Sequence, residues 1–519
     1  MFTSSRRNAG RSFRPRWEIL EDRTLLSVCT VDRLTDNNPA GGGEGSNGMG
    51  DLHYCIAHTA DDDTISFKVT GTINLTGSLP DLTHNISIDG HGADLVTVRR
   101  DTGGSYRIFT LTGMPVITIS GLTISNGNRG DIGGGISNSG MLTVSNCTIS
   151  GNSADTGGGI FNLGTLTMNN STVSGNSANT QGGGIFNLGT LTMNNSTVSG
   201  NSAIAGGGIY NTSPLTMNDS TVSGNSSNSG IFNVGTLTMN NSTVSGNSVL
   251  GIFNEEILTV TNSTISGNFG RSGGGIYEYI VDFLGRLTIN NSTISGNSAL
   301  EGGGIYEYPS GRGTAVVRNT IIAGNMALNE PDLYGNLSSQ GHNLIGNTDG
   351  GSGFDDTDLL NVDPMLGPLQ DNGGPTLTMA LQCGSPGIDA GDNADAPDWD
   401  QRGDGFPRIV NKIIDIGAYE VQTGECDGSA PHGSPNKLNR FVGTALVPNK
   451  LSQSEFTSVQ LSADFQENRF PLISDYVGPT LTALVSFSMP HSGPKALVRD
   501  SLFMDPNLDF SFQEPLICS

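Results

Sequence analysis

The segment Gly157-Gly-Gly-Ile-Phe-Asn-Leu-Gly-Thr-Leu-Thr-Met-Asn-Asn-Ser-Thr-Val-Ser-Gly-Asn-Ser-Ala178 returns almost unchanged from Gly182 to Ala203. Weaker copies flank it. The Gly just before the Ile falls at 135, 159, 184, 208, 230, 251, 275 and 304, giving spacings of 24, 25, 24, 22, 21, 24 and 29 residues. A unit this short cannot bury its apolar face alone, so successive copies must stack. Each copy holds three strand-like pieces, Gly-Ile-Phe-Asn, Leu-Thr-Met and Ser-Thr-Val-Ser. Gly, Asn and Ser, which favour turns, separate them, and alternation such as Leu166/Met168 marks one inward face. No helix-forming segment intervenes. The expected fold is all-β: a right-handed, three-sheeted parallel β-helix over residues 86–325 with inward Ile, Leu, Val and Met, its hand following the crossover rule. Roughly ten coils at about 4.8 Å each make a rod about 50 Å long. Asn85-Ile-Ser-Ile-Asp89 and Ile117-Thr-Ile-Ser-Gly-Leu-Thr-Ile124 read as degenerate first coils.

The asparagines follow from this stacking. One series runs Asn152, Asn176, Asn201, Asn225, Asn247, Asn268, Asn297 and Asn325. A second runs Asn146, Asn170, Asn195, Asn241, Asn262, Asn291 and Asn319, with Asp219 on one rung. Identical amides one coil apart can donate and accept along the axis, as in cross-β ladders. That accounts for every copy, whereas Asn170-Ser-Thr as a glycosylation acceptor accounts for single sites. The Gly-Gly-Gly-Ile triplets precede no helix and lack a following Lys-Ser/Thr, so they punctuate the repeat and do not cradle phosphate.

Composition suits many short strands and tight turns: Gly is 74 of 519 residues, hydrophobic residues are 35% and charged residues only 14%. Low charge density separates this chain from disordered ones. The formal charge of −24 excludes a nucleic-acid binder, which needs clustered Lys and Arg, and disfavours an anionic bilayer. No run approaches the 18 or so apolar residues of a membrane span. Six cysteines, at 29, 55, 147, 383, 426 and 518, form no CxxC pair. Cys29 and Cys55 flank one Gly-rich loop, as a disulfide or as two inert thiols. Residues 1–23 carry six arginines, but charges break the apolar core a signal peptide requires, so composition leaves export undecided.

Enzymatic β-helices need converging carboxylates, or carboxylates with a cation and a basic residue. Between Asp131 and Asn325 there is no His or Lys, and nine acids are scattered. Only Glu278 and Glu307 recur in phase, within Tyr277-Glu278-Tyr279 and Tyr306-Glu307-Tyr308. These six residues are the candidate glycan-binding site, since aromatic faces suit a pyranose; the alternative is two solvated carboxylates beside an aromatic stack. No residue is assigned as catalytic. A second acidic region, from Asp349 to Asp404, holds twelve aspartates and one base, Arg402. Its densest part offers Asp389, Asp392, Asp395, Asp398 and Asp400 as flexible oxygen ligands of the kind Ca²⁺ prefers. The spacing is not that of an EF-hand, and a solvated acidic loop is the other reading. No other cofactor is indicated.

The C-terminal motifs carry a resemblance. Ser339-Gln-Gly-His-Asn-Leu-Ile-Gly346, Asp358-Leu-Leu-Asn-Val-Asp-Pro-Met-Leu-Gly-Pro-Leu-Gln-Asp-Asn-Gly-Gly-Pro-Thr376, Gly384-Ser-Pro-Gly-Ile-Asp-Ala-Gly391, Asp400-Gln-Arg-Gly403 and Asp415-Ile-Gly-Ala-Tyr-Glu420 closely resemble the choice-of-anchor Q domain. That domain typically follows right-handed β-helix repeats of this type, so the resemblance spans about residues 29–422. It implies an exported bacterial protein, extracellular or at the cell surface, and brings no catalytic residues. Leu20-Glu-Asp-Arg-Thr-Leu-Leu-Ser27 resembles an N-terminal motif of bacterial surface proteins and also implies export. The expected organisation is an export-associated segment (1–28), an N-terminal cap (29–85), the solenoid (86–325), a choice-of-anchor Q-like module (326–423) and a tail (424–519). The module is expected to shield the last open coil. The tail matches no recognisable anchor, and is either a divergent domain or a partly disordered extension. The functional expectation is a non-catalytic surface protein for adhesion, glycan binding or structure, whose partners are polysaccharide or other surface components. A polysaccharide lyase or glycoside hydrolase of the β-helix type is the alternative.

Overall fold

The computed structural model describes residues 27–36, 48–102, 104–279, 285–308 and 315–426. The expected export segment up to residue 26, the tail from 427 and Cys518 lie outside them.

Each full repeat makes one coil of three strands. In one coil these are Ile160–Asn162, Thr165–Asn169 and Thr172–Ser174. They pair in parallel and in register with Ile185–Asn187, Thr190–Asn194 and Thr197–Ser199 of the next. Three stacked sheets result, called here the first (Ile-Phe-Asn), second (Leu-Thr-Met) and third (Thr-Val-Ser). The chain is a parallel β-solenoid of about 11 turns. Register holds because a one-residue slip would turn every inward side chain out. Ile160, Leu166, Met168 and Val173 and their counterparts are fully enclosed, in one apolar core running from Val31 to Ile345.

Turns are set by backbone conformation. The second Asn series has φ between 46° and 53° from Asn146 to Asn319. Asn and Asp enter this left-handed region more readily than other non-Gly residues, which explains why Asp219 is the one substitution in the series. Rungs of this series also bond along the axis, as Asn195 Nδ2 does to Asn170 Oδ1 at 2.7 Å. The first series is buried. Each side-chain oxygen from Asn176 through Asn325 accepts both the backbone N–H and the Nδ2 of the preceding rung, at 2.9 to 3.1 Å. A third ladder, not anticipated, runs Asn138, Asn162, Asn187, Asn211, Asn233, Asn254 with 2.6–2.8 Å links.

The solenoid exceeds its expected limits. Thr64–Phe67 and Gly71–Leu75 already pair in register with Ile86–Asp89 and Val96–Arg100. Leu333–Ser339, Leu344–Ile345 and Leu359–Leu360 continue the sheets beyond 325. These coils keep the inward alternation (Ile65/Phe67, Ile73/Leu75) and drop the Gly and Asn signature, so repeat matching misses them. At the N-terminal end the helix Leu52–Ala57 lays Leu52, Cys55 and Ile56 on the core. Asp51 caps it by accepting from Tyr54 N, and Cys29–Cys55 is a disulfide that ties it to the first strand.

The C-terminal module also sits differently from expectation. The end of the core is met by Phe354, while residues 366–421 lie along the flank, on the outer face of the third sheet. The reason is visible in sequence phase. Positions held by Thr in earlier coils become Ile321 and Leu344, and these outward apolar side chains form a second cluster with Leu381, Ile416, Tyr419 and Val421. The pair Leu366–Gln370 and Thr378–Leu381 is antiparallel, and a second disulfide, Cys383–Cys426, joins the module's strands to its C-terminal segment.

Candidate functional site

The phased Tyr-Glu-Tyr stretches are brought together as expected, on Ile276–Glu278 and Ile305–Glu307, with Tyr277 opposite Tyr306 and Glu278 opposite Glu307. Their orientation overturns the reading of solvated carboxylates. Asn254 pairs with Glu278, so the glutamates occupy the next rungs of the third Asn ladder and point inward with Ile276 and Ile305. Asn254 Nδ2 donates to both Glu278 carboxyl oxygens, at 3.0 and 3.1 Å. Glu278 is 1% exposed. Burial pushes its pKa up to about 8, against the Asn254 bond, and nearby Glu307 pushes the same way. Glu307 is also raised by burial, despite accepting Asn336 N–H. A carboxyl group enclosed in this way is a ladder terminus and cannot reach a polymer outside.

The tyrosines join a longer column. Phe161, Phe186, Tyr210, Phe232, Phe253, Tyr277, Tyr306 and Tyr334 stack coil on coil with centroids 4.4–5.3 Å apart and planes within 16°. Their faces are turned to one another along the axis, so a sugar meets mostly ring edges. Tyr279 and Tyr308 form a second, tilted pair at 4.8 Å. Tyr308, 41% exposed, is the most open of the six candidate residues.

The five aspartates do not converge. Asp392 and Asp395 take Arg318, at 2.5 and 3.5 Å. The N–H of Ala394, then Arg318, hold the Asp392 carboxyl below its ordinary range. Asp400 is enclosed and holds Arg402 through Nη2 at 2.6 Å and Nε at 2.9 Å. The backbone N–H of Asp389 goes to Asp415, and the Asp398 carbonyl accepts Arg408 N–H. Among the described residues no three His, Cys, Asp or Glu side chains gather as metal ligands. Three of the five carboxylates, Asp392, Asp395 and Asp400, are paired with arginines.

Asp400-Gln-Arg-Gly and Asp415–Glu420 prove to be the module's interior. Arg402 lies between the rings of Phe406 and Tyr419 and donates to the Glu420 carbonyl. Glu420 accepts from Val410 N and Asp415 N. Gln401, between two charged neighbours, points the other way: its amide donates to Thr243 Oγ1 and Thr376 Oγ1 and accepts from Thr264 Oγ1. Sequence reasoning missed this contact, although an uncharged side chain between Asp400 and Arg402 was the available signal. An open cleft of about 350 Å³ lies elsewhere, lined by Ser105, Arg129, Gly130 and Asp131; Asp131 is already claimed by Arg107 and Arg129.

No family model matches the sequence. No curated protein matches it. A solved structure, the crystal structure of pectate lyase Pel9A, is similar over 76% of this chain and 98% of that chain, with a TM-score of 0.42 and 13% identity.

Proposed function

We propose that this chain is an exported, non-catalytic surface protein of the choice-of-anchor Q type that its motifs resemble, extracellular or at the cell surface, serving adhesion, glycan binding or a structural role. The observation that carries the reading is the inward placement of Glu278 and Glu307, the two acids that recur at equivalent positions of successive coils. One outward row is repetitive and uncharged. Thr143, Thr167, Thr192, Thr216, Thr238, Thr259 and Thr288 form one row of the second sheet, an extended face suited to many weak contacts with polysaccharide or other surface components. Two disulfides support export, since such bonds persist in oxidising compartments. No helix among the described residues is long and apolar enough to cross a membrane.

The test is to screen purified protein against acidic and neutral polysaccharides, measuring retention and newly formed reducing or unsaturated ends, with cell fractionation in parallel. Retention without cleavage, and recovery outside the cytoplasmic membrane, are expected. Cleavage lost in Glu278→Gln or Glu307→Gln would establish the lyase or hydrolase reading in its place.

A further inference from the structure

The third sheet carries the same Thr-X-Ser strand in successive coils, in register from Thr148–Ser150 to Thr293–Ser295. In the last three the chain covers its own face. Thr243 Oγ1 donates to the Leu377 carbonyl, Thr264 Oγ1 to Gln401 Oε1, and Thr293 Oγ1 accepts Ala418 N–H. Thr376 Oγ1 adds a bond to the Asn241 carbonyl. Each covered hydroxyl thus meets either a main-chain group or an uncharged amide, supplied by three separate stretches of chain at Leu377, Gln401 and Ala418.

The four preceding rungs, at Thr148, Thr172, Thr197 and Thr221, present the same hydroxyls half-open to solvent. Their rim is equally bare: a Cβ placed on Gly151, Gly175, Gly200 or Gly224 would meet nothing within 4 Å. We infer that this strip is a docking surface for an extended, uncharged polypeptide segment, continuous with the interface that residues 376–418 make on the adjoining coils. Dimensions select the occupant. Four rungs at about 4.8 Å span about 19 Å, which about six residues of extended chain would cover. The strip is one short strand wide, on the order of 200 Å², well under the roughly 800 Å² per partner of a standard globular interface. A threaded segment fits where a globular face does not. Charge agrees, since every outward side chain of these rungs is Thr or Ser.

The inference names a partner for a face of the proposed surface protein, and its test does not depend on where the protein resides or on glycan retention. The probe is a fluorescein-labelled peptide of Gly373–Met379, the piece that seats on Thr243, titrated into the full chain. Saturable binding tighter than about 1 mM is expected. It should weaken at least tenfold in a variant carrying Thr148→Val, Thr172→Val, Thr197→Val and Thr221→Val, whose melting temperature confirms folding. A second variant, Ser174→Lys with Ser199→Lys, should weaken it similarly by placing charge on the strip. Absent binding at that concentration, or equal binding by both folded variants, would overturn the inference. So would a neutral oligosaccharide that displaces the peptide and is itself lost in the Val variant, since the strip would then belong to glycan.

Discussion

Coils 148–223 and coils 243–295 carry the same Thr-X-Ser strand in the third sheet, yet in the first group the outward side chains are half-open and in the second they are buried. Local sequence does not decide this. A β-strand with one face in a core leaves the other face to whatever the rest of the chain supplies, and here the module supplies cover to one set only. The two groups differ inside as well. The third ladder is all Asn through Asn254 and becomes Glu at 278 and 307. The covered coils thus enclose two acids and carry a docked module, whereas the bare ones are held by repetition alone.

The largest separation between the two regions is expected from Arg402→Ala. It would leave Asp400 buried without its partner, which costs about 3–5 kcal/mol, and would loosen the module before the solenoid. Chemical denaturation followed by limited proteolysis should show early cleavage within 366–421 with the repeat coils intact. A single cooperative loss of both would mean that module and solenoid are one folding unit.

Glu278→Gln sharpens the interior difference with the opposite sign. In the fold burial lifts Glu278 from 4.5 to about 8; the unfolded chain keeps the lower value. Between those values the folded state holds a proton that the unfolded state has released. The stability it contributes is therefore full below about pH 4.5 and is lost as pH rises towards 8. Gln cannot ionise and can accept from Asn254, so the variant should match the wild type near pH 5 and exceed it by about 3 kcal/mol near pH 8. Glu420 and Asp415, raised by burial to about 8 and about 6, keep part of the wild-type slope in the variant. Denaturation midpoints across pH 5–8 check it, and parallel curves for the two proteins would remove the buried acid from the account.

Gln401→Ala acts at the dock itself. It strands Thr264 Oγ1 and removes donors to Thr243 and Thr376, a loss of about 2 kcal/mol read by the same denaturation. A loss under about 0.5 kcal/mol, the size of an ordinary surface change, would mean that the apolar cluster around Ile321 and Leu344 holds the module without this amide.

These contrasts also mark what was legible in the sequence. Ile160, Leu166, Met168 and Val173 declared the core because their period repeats, and the turn asparagines declared themselves because few side chains enter left-handed backbone. Glu278 misled because its tyrosine neighbours drew it towards the surface. Its phase with Ile276, and with Asn in every earlier Gly-Ile-Phe-Asn, placed it inside. The coils at 64–100 lack the turn signature and keep only alternation. Asp392 and Asp395 read as part of a cation site because their partner Arg318 lies more than 70 residues back in the chain. Cys383 and Cys426 are 43 residues apart with no shared motif to pair them. The flank docking left a trace only where Ile321 and Leu344 take the place of Thr and where Gln401 sits between two charges; over the covered coils themselves Thr-X-Ser reads the same bare or covered.

The finest test of the comparison exchanges one hydroxyl for one methyl at equivalent places. Thr264→Val and Thr197→Val keep volume and strand preference, and differ only in what the hydroxyl touches. In the covered coil the bond to Gln401 Oε1 is lost and that oxygen is left in a dry interface, so a loss of about 1–2 kcal/mol is expected. In the bare coil water replaces the hydroxyl's partners, and the change should fall within about 0.5 kcal/mol. Thr197 sits on a central strand with identical neighbours at Thr172 and Thr221, so edge effects do not enter. The difference between the two midpoints, measured at one pH, isolates the contribution of docking to a single rung. If both substitutions prove neutral, the covered hydroxyls are spectators and the module is held by apolar contact; if both cost equally, the bare hydroxyls already serve the solenoid, and the distinction between the two sets of coils fails at the level of the single side chain.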